Sequence, residues 1–176
     1  MTRANVVHAL AAFALGATTV LVAKAKVTFD PKAYYAGAEP KAASAALLKE
    51  AEVLAKDDTW DRIGIGRVKC VSGDTAGGEA IFDSVLGGKY GKSDLYRIAT
   101  AYAVAKNWAK AKPLFERAIA MDLKDDTGIM KAACWFNLNG ERQRAEELFG
   151  IALAKNPEDV WHYTLSAGSY VGVQPF

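Results

Sequence analysis

The sequence predicts an all-α chain of repeated helix pairs, and an internal repeat is the main observation behind this prediction. Apolar residues between positions 92 and 159 recur 34 positions apart. The matched pairs are Leu95 with Ile129, Ile98 with Ala132, Ala99 with Ala133, Tyr102 with Phe136, Ala111 with Ala145, Phe115 with Phe149 and Ala118 with Ala152. Their spacing within each unit predicts two amphipathic helices joined by a turn. A similar amphipathic stripe runs from Lys41 to Lys56.

This period, with its fixed order of small and large residues, resembles the tetratricopeptide repeat family. The resemblance covers two good repeats, 92–125 and 126–159, and a decayed repeat at 58–91. It implies a right-handed superhelical solenoid over residues 41–172, in which stacked helix-turn-helix units share one core. The sequence departs from the family pattern at Leu123, which stands where the second good repeat has Pro157.

The N-terminal segment, residues 1–25, has the layout of a signal peptide or of an uncleaved membrane anchor. Arg3 precedes an uncharged apolar run at 6–23, and small residues flank Lys24 as at a signal-peptidase site. The run is long for a leader and just long enough to span a bilayer; a buried core helix is the third interpretation. We therefore expect a protein of the cell envelope. It would be periplasmic or secreted if the leader is cleaved, and otherwise anchored in the membrane through residues 6–23.

The next segments frame the repeats on their N-terminal side. Residues 26–40 are predicted to be a linker, because prolines and a glycine interrupt any helix there. The helix at 41–56 is predicted to be the second helix of a unit whose first helix is missing. In the decayed repeat, Asp58 or Thr59 should cap a helix that runs to about Val71. A second helix containing Phe82 should follow a turn at 72–74.

Four glycines of the decayed repeat are expected to allow close helix contact: Gly64, Gly66, Gly77 and Gly78. Because glycine lowers helix propensity by about 1 kcal/mol relative to alanine, this unit should be the softest. At the other end, residues 159–171 predict one more helix. Its Tyr163, Ala167 and Tyr170 match the first-helix positions of a fourth unit, so we expect it to cap the array. Residues 173–176 form a short tail.

Charge and composition argue against several classes of function. Without residues 1–25 the chain has 20 basic and 20 acidic residues, and nucleic-acid binding needs a basic face. Cys70 and Cys134 fall two units apart, too far for a disulfide, so we expect both to be free and buried. No metal-ligand spacing, phosphate-binding loop or catalytic constellation is present. Glu141, Glu146 and Glu147 are interpreted as a solvated outer face. We therefore expect neither a cofactor nor an enzymatic activity.

The family resemblance also implies which residues line the concave groove formed by the first helices. In the good repeats and the last helix these are Tyr96, Arg97, Thr100, Met130, Lys131, Cys134, Asn137, Trp161 and Thr164. In the decayed repeat they are Ile63, Arg67 and Cys70. Arg97 and Lys131 occupy equivalent positions, so a basic stripe is predicted that would suit an extended acidic segment. Ordinary solvated charge is the alternative interpretation of these two residues.

Three functional hypotheses follow from these features. The first is a protein-protein interaction module that holds a peptide or a partner protein in its groove. The second is a structural or assembly subunit of a larger membrane complex, held by its uncleaved N-terminal helix. The third, an enzyme, is disfavoured, because repeat arrays rarely assemble catalytic residues without added loops.

Overall fold

In a computed structural model that describes residues 30–175, this part of the chain is all-helical and contains no strand. A short 3-10 helix spans Pro31–Tyr34. The α-helices are α1 (Pro40–Ala55), α2 (Thr59–Ser72), α3 (Thr75–Leu86), α4 (Lys92–Val104), α5 (Trp108–Met121), α6 (Asp126–Leu138), α7 (Arg142–Lys155) and α8 (Val160–Tyr170). The prediction of an all-α chain is confirmed.

The predicted leader or anchor at residues 1–25, including the apolar run at 6–23, lies outside the described residues. Among the helices from residue 30 to residue 175, none is both long and apolar enough to cross a bilayer. Residues 32–175 belong to one compact unit. The predicted linker at 26–40 therefore ends in ordered structure, because the 3-10 helix overlaps it.

The helices of this unit pack as pairs in two layers. The most extensive contacts join α2 with α3, α4 with α5, and α6 with α7. The first helices of these pairs also contact one another in succession, from α2 to α4, from α4 to α6 and from α6 to α8. α1 packs against α2. One layer therefore consists of α2, α4, α6 and α8, and α3, α5 and α7 back it.

Short polar residues fix where the helices begin. The Asp58 carboxylate accepts hydrogen bonds from the backbone N–H groups of Trp60 and Asp61, at 2.9 and 3.0 Å. Side chains at the N-cap positions of four further helices make the same kind of bond: Asp74, Asn107, Asp125 and Asp159. Such caps satisfy backbone donors that have no partner within the helix. Gly73 ends α2 in the left-handed conformation, with φ of 102°.

The core contains the residues that repeat at a spacing of 34. All seven matched pairs are buried, and the small residues Ala99 and Ala133 have no exposed surface. An aromatic cluster joins two helix pairs, because the ring of Phe115 contacts those of Trp108 and Phe136 at 6.1 and 6.5 Å between centroids. Cys70 and Cys134 are both free and buried, as the sequence predicts.

Two of the four glycines of α2 and α3 lie where these helices cross. A Cβ atom on Gly78 would come within 2.6 Å of the Gly66 carbonyl oxygen, and one on Gly66 would meet the Phe82 ring at the same distance. The prediction was wrong for the other two glycines. A Cβ on Gly64 would meet nothing within 4 Å, and one on Gly77 would meet the side chain of Asp74, which caps its own helix.

Candidate functional site

A groove of about 760 Å³ lies on the layer of first helices, and α2, α4 and α6 all contribute to its lining. The lining residues are Trp60, Ile63, Gly64 and Arg67 of α2; Ser93, Tyr96, Arg97, Thr100 and Val104 of α4; Thr127, Gly128, Lys131 and Trp135 of α6; Asp125 before α6; Phe115 of α5; and Gln174 and Pro175 of the tail. The groove is therefore built mainly from residues at corresponding positions of consecutive helix pairs.

The lining positions repeat along the array. Residues 60, 63, 64 and 67 of α2 correspond to residues 93, 96, 97 and 100 of α4 at an offset of 33. Two of the α4 positions recur in α6 at an offset of 34, as Thr127 and Lys131. Since side chains three and four positions apart share a helix face, each first helix presents one stripe to the groove.

Each of the three helices supplies one cation to the groove: Arg67, Arg97 and Lys131. Within residues 30–175 none of the three forms an ion pair. The single carboxylate of the lining, Asp125, is already paired with Lys92 at 3.0 Å. The groove therefore has a positive charge that its own lining does not neutralise.

In the outer layer four cations are paired, whereas Arg117 and Lys155 form no ion pair within residues 30–175. The side chains of Lys110 and Lys112 in α5 pair with Glu79 and Glu141 at 2.5 Å. In α7, Arg142 pairs with Glu146 and Arg144 with Glu116, both at 2.8 Å. The three groove cations are therefore distinguished less by the lack of an ion pair than by their position, since each of three neighbouring helices brings one of them to the same groove.

Arg97 is held in place by an aromatic ring. Its guanidinium carbon lies 3.7 Å from the centroid of the Trp60 ring, which is well within the range of a cation–π contact. Trp60 is 52% exposed, so the stacked pair forms part of the groove surface. The contact orients Arg97 without neutralising its charge, and the guanidinium edge keeps its donors for a ligand.

Tyr96 closes the floor of the groove beside α6. Its ring lies so close to Gly128 that a Cβ there would come within 2.7 Å of it. Its hydroxyl is buried and has no hydrogen-bond partner in the described chain. Desolvation, with the nearby carboxylates of Asp125 and Asp122, raises the pKa of Tyr96 well above its ordinary value. The hydroxyl is therefore neutral and can donate a hydrogen bond to a ligand that reaches it.

The structure brings four of the nine predicted groove residues together, Tyr96, Arg97, Thr100 and Lys131, along with Ile63 and Arg67 of the decayed repeat. The prediction that Met130, Cys134 and Cys70 line the groove was wrong. Met130 and Cys134 have no exposed surface, and Cys70 is 7% exposed, because all three belong to the core. Burial raises the pKa of Cys134 to about 11.

The remaining three predicted residues lie outside the groove lining, toward α8. Asn137 donates a hydrogen bond from Nδ2 to the Ser169 hydroxyl at 2.9 Å, so it joins α6 to α8. Trp161 and Thr164 are exposed on α8 itself, and the Thr164 hydroxyl donates to the Val160 carbonyl. α8 packs on α6 but contributes no residue to the lining, whereas Gln174 and Pro175 of the tail that follows α8 do.

Sequence reasoning missed eleven of the lining residues, among them Trp60, Trp135, Gln174 and Pro175. Trp60 had a signal, because it precedes Ile63 and Arg67 by one and two turns on the same face. The tail had none. Its direction is set by Gly172, which has a left-handed φ of 87°, and by a hydrogen bond of 2.9 Å from the Val173 N–H to the Gly168 carbonyl.

The groove chemistry fits binding of an extended anionic segment: separate cations, aromatic surfaces and one buried hydroxyl. In residues 30–175 no group of three or more His, Cys, Asp or Glu side chains is placed to hold a metal ion. In comparisons with known proteins, no family model, curated protein or solved structure is significantly similar to this chain.

Proposed function

We propose that the chain is a non-catalytic protein-protein interaction module of the tetratricopeptide repeat type, and that the groove binds an extended, acidic segment of a partner protein. The observation that carries the proposal is the row of Arg67, Arg97 and Lys131, one from each first helix and none in an ion pair within the described chain. Cations left without partners at a concave surface favour an anionic ligand.

The proposed architecture is a right-handed solenoid of helix-turn-helix units. Its support is the 34-residue repeat, the pairing of α2 with α3, α4 with α5 and α6 with α7, and the successive contacts among the first helices. In such an array the first helices form a continuous binding surface. The groove occupies this surface.

The spacing of the cations predicts the spacing of acids in the ligand. Packed helices lie about 8–10 Å apart, and a polyproline II segment rises about 3.1 Å per residue and brings every third side chain to the same face. Arg97 and Lys131, which occupy equivalent positions of α4 and α6, are therefore about three residues apart along such a segment. A partner with an acidic residue at every third position would meet Lys131 and Arg97 in turn, while Trp60 and Tyr96 pack against the residues between. Arg67 lies about one helix turn beyond Gly64, the residue of α2 that is equivalent to Arg97, and would meet an acid near the end of the segment.

The proposed location is the cell envelope, on the basis of the uncharged run at residues 6–23 and the small residues around Lys24. N-terminal sequencing of the protein from its natural source tests this. A mature start near Lys26 supports export with cleavage, and an intact N-terminus supports an uncleaved anchor. An intact N-terminus on a protein recovered wholly from a soluble cytoplasmic fraction would contradict the proposal.

The binding proposal is tested with a fluorescein-labelled synthetic peptide that carries Glu at every third position, and with a matched peptide that carries Gln instead. Fluorescence anisotropy with the full-length chain should show binding of the Glu peptide, and the affinity should fall as salt rises. Reversal of two groove cations, Arg97→Glu with Lys131→Glu, should weaken binding at least about tenfold, which is about 1.4 kcal/mol.

The matched control is Lys89→Glu with Lys106→Glu, which changes the net charge equally at two exposed residues outside the groove lining. This variant should bind within about twofold of the native chain, since exposed charges far from a ligand are screened. Equal binding of the Glu and Gln peptides, or equal losses in the groove and control variants, would refute an anionic ligand in this groove.

A further inference from the structure

The outer face of α8 carries residues whose counterparts elsewhere are completely buried. Tyr163, Ser166, Ala167 and Tyr170 follow Ile129, Ala132, Ala133 and Phe136 by 34 positions. The four counterparts in α6 have no exposed surface. On α8 the two tyrosines are 50% and 48% exposed and Ala167 is also exposed. Tyr170 packs on α7, because its ring lies 6.1 Å from that of Phe149 and its hydroxyl donates to Glu146. Within residues 30–175, however, no second helix follows α8 to cover Tyr163 and Ala167, as α7 follows and packs on α6.

α1 exposes residues that correspond to buried residues on the second helices of the other pairs. Its residues Ser44, Leu47, Leu48 and Ala51 stand 67 positions before Ala111, Leu114, Phe115 and Ala118 of α5, which pack on the first helix of their pair. Ala111 and Ala118 are fully buried, whereas Ser44 and Ala51 are partly exposed. Leu47 is 45% exposed, whereas its counterpart in α5, Leu114, is partly buried and its counterpart in α7, Leu148, has no exposed surface. A cavity of about 560 Å³ opens beside α1, lined by Ser44, Leu48 and Val71 among others.

We propose that α8 of one copy packs against α1 of a second copy, so that the two half-units complete one helix pair between molecules. Within residues 30–175, α8 has the face of a first helix with no second helix after it, and α1 has the face of a second helix with no first helix before it. Each face has an apolar, partly exposed centre, and burial of apolar surface is the main driving force of association. Charged residues line the cavity beside α1 around this centre: Lys41, Lys49, Glu52, Lys69 and Asp74. The occupant of each face is therefore the other end of an identical chain.

The charge distribution supports a second copy as the occupant. Residues 160–175 contain no Asp, Glu, Lys or Arg, so α8 brings no formal charge that α1 would have to neutralise, apart from the fully buried His162. The middle of the α1 face, around Leu47 and Ala51, is apolar as well. Because the two faces differ, the contact is head-to-tail, and each added copy leaves one free α8 and one free α1.

Sedimentation velocity of the full-length chain, in one mild detergent throughout, tests this interface without involving the groove. The native chain should form a concentration-dependent series of species larger than one copy. Tyr163→Glu on α8 and Leu47→Glu on α1 should each sediment as a single copy at every concentration, because each buries a carboxylate in the contact. Circular dichroism should show that both variants keep the native helix content.

Mixing the two variants distinguishes this contact from others. Tyr163→Glu retains a native α1, and Leu47→Glu retains a native α8, so an equal mixture should form two-copy complexes and nothing larger. Met121→Glu, at a residue of α5 that is 52% exposed and lies outside both faces, should associate like the native chain.

Three results would overturn the proposal. One is a native chain that stays single at all concentrations. Another is association blocked by Tyr163→Glu and unaffected by Leu47→Glu, which would indicate pairing of α8 with α8. The third is a mixture of the two variants that fails to form the two-copy complex. If all variants, Met121→Glu included, lose association equally, the contact is not made by these faces and the proposal also fails.

Discussion

Glu141 joins two helix pairs through one carboxylate. Its Oε1 accepts a hydrogen bond of 2.9 Å from the Trp108 ring nitrogen, and its Oε2 pairs with the Lys112 ammonium at 2.5 Å. Trp108 in turn packs edge-on against Phe136, with 5.0 Å between ring centroids. Glu141 is partly exposed, and Glu146 and Glu147 are exposed, as predicted for an outer face. The prediction missed the two partners of Glu141, which lie about 30 residues earlier, because the repeat pattern does not report on polar contacts.

Replacing this carboxylate should change how stability depends on pH. Lys112, followed by Trp108, lowers the pKa of Glu141 below its ordinary value of 4.5. A lowered folded pKa means that the carboxylate stabilises the fold above pH 4.5 and that this contribution is lost as pH falls through the folded pKa. Glu141→Gln should cost about 0.5–1 kcal/mol at pH 7, after allowance for solvent screening.

The measurement is urea unfolding of the native chain and Glu141→Gln at several pH values between 7 and 3. The difference in free energy of unfolding should shrink toward zero below about pH 4.5. Asp122 also has a lowered pKa, through Lys92 first, but it titrates in both proteins and cancels in the difference. A difference that stays constant across this range would mean that the ion pair with Lys112 contributes nothing.

Within the groove, the sequence could predict a residue's helix face but not always its exposure. Tyr96 and Met130 occupy equivalent positions, yet Tyr96 is half-buried over Gly128 while Met130 has no exposed surface. Their exposure differs because different helices pack on the two positions. A 34-residue repeat in the sequence does not show which helices those are. The stacking of Arg97 on Trp60 is also a contact between two helices. It does not recur in the next unit, because the residue that corresponds to Trp60 there is Ser93.

At the level of the helix, the ends were predictable because their signals are local. α2 was expected to run from Asp58 or Thr59 to about Val71 and spans Thr59–Ser72, and α8 lies within the predicted range 159–171. Capping carboxylates and a left-handed glycine act on backbone groups only a few residues away. The crossing point of α2 and α3 was less predictable. The sequence does not distinguish the four glycines of these helices, and only two of them lie where the helices meet.

The two kinds of glycine give a prediction about the α2–α3 pair. Gly78→Ala should destabilise the chain by about 1–3 kcal/mol, because its Cβ would come within 2.6 Å of the Gly66 carbonyl oxygen and would also clash with Cys70. Gly64→Ala, in open space on α2, should stabilise it by about 0.5–1 kcal/mol through helix propensity. Urea unfolding followed by circular dichroism measures both. Equal effects of the two substitutions would show that the helices do not cross closely at Gly78.

Across the whole described unit, burial is distributed unevenly. α4 and α6 each contain seven buried residues, including the repeat-matched core of both good repeats. α1 contains one, Ala55, and packs against α2 alone among the extensive helix contacts. α2 and α3 lie between these extremes and contain Gly64 and Gly77, which make no contact with the partner helix to offset their low helix propensity. Stability should therefore rise from the α1 end toward the middle of the unit.

Amide hydrogen exchange of the full-length chain, followed by mass spectrometry of peptide fragments, measures this gradient directly. Local opening requires less free energy where few apolar contacts are broken, so α1 should exchange first, α2 and α3 next, and α4 and α6 last. We expect protection in α4 and α6 to exceed that in α1 by at least about a hundredfold, which is about 3 kcal/mol. Exchange of all the helices at one common rate would instead show that the unit opens only as a whole. Faster exchange in α4 than in α1 would place the stable core elsewhere and would contradict the burial pattern on which the gradient rests.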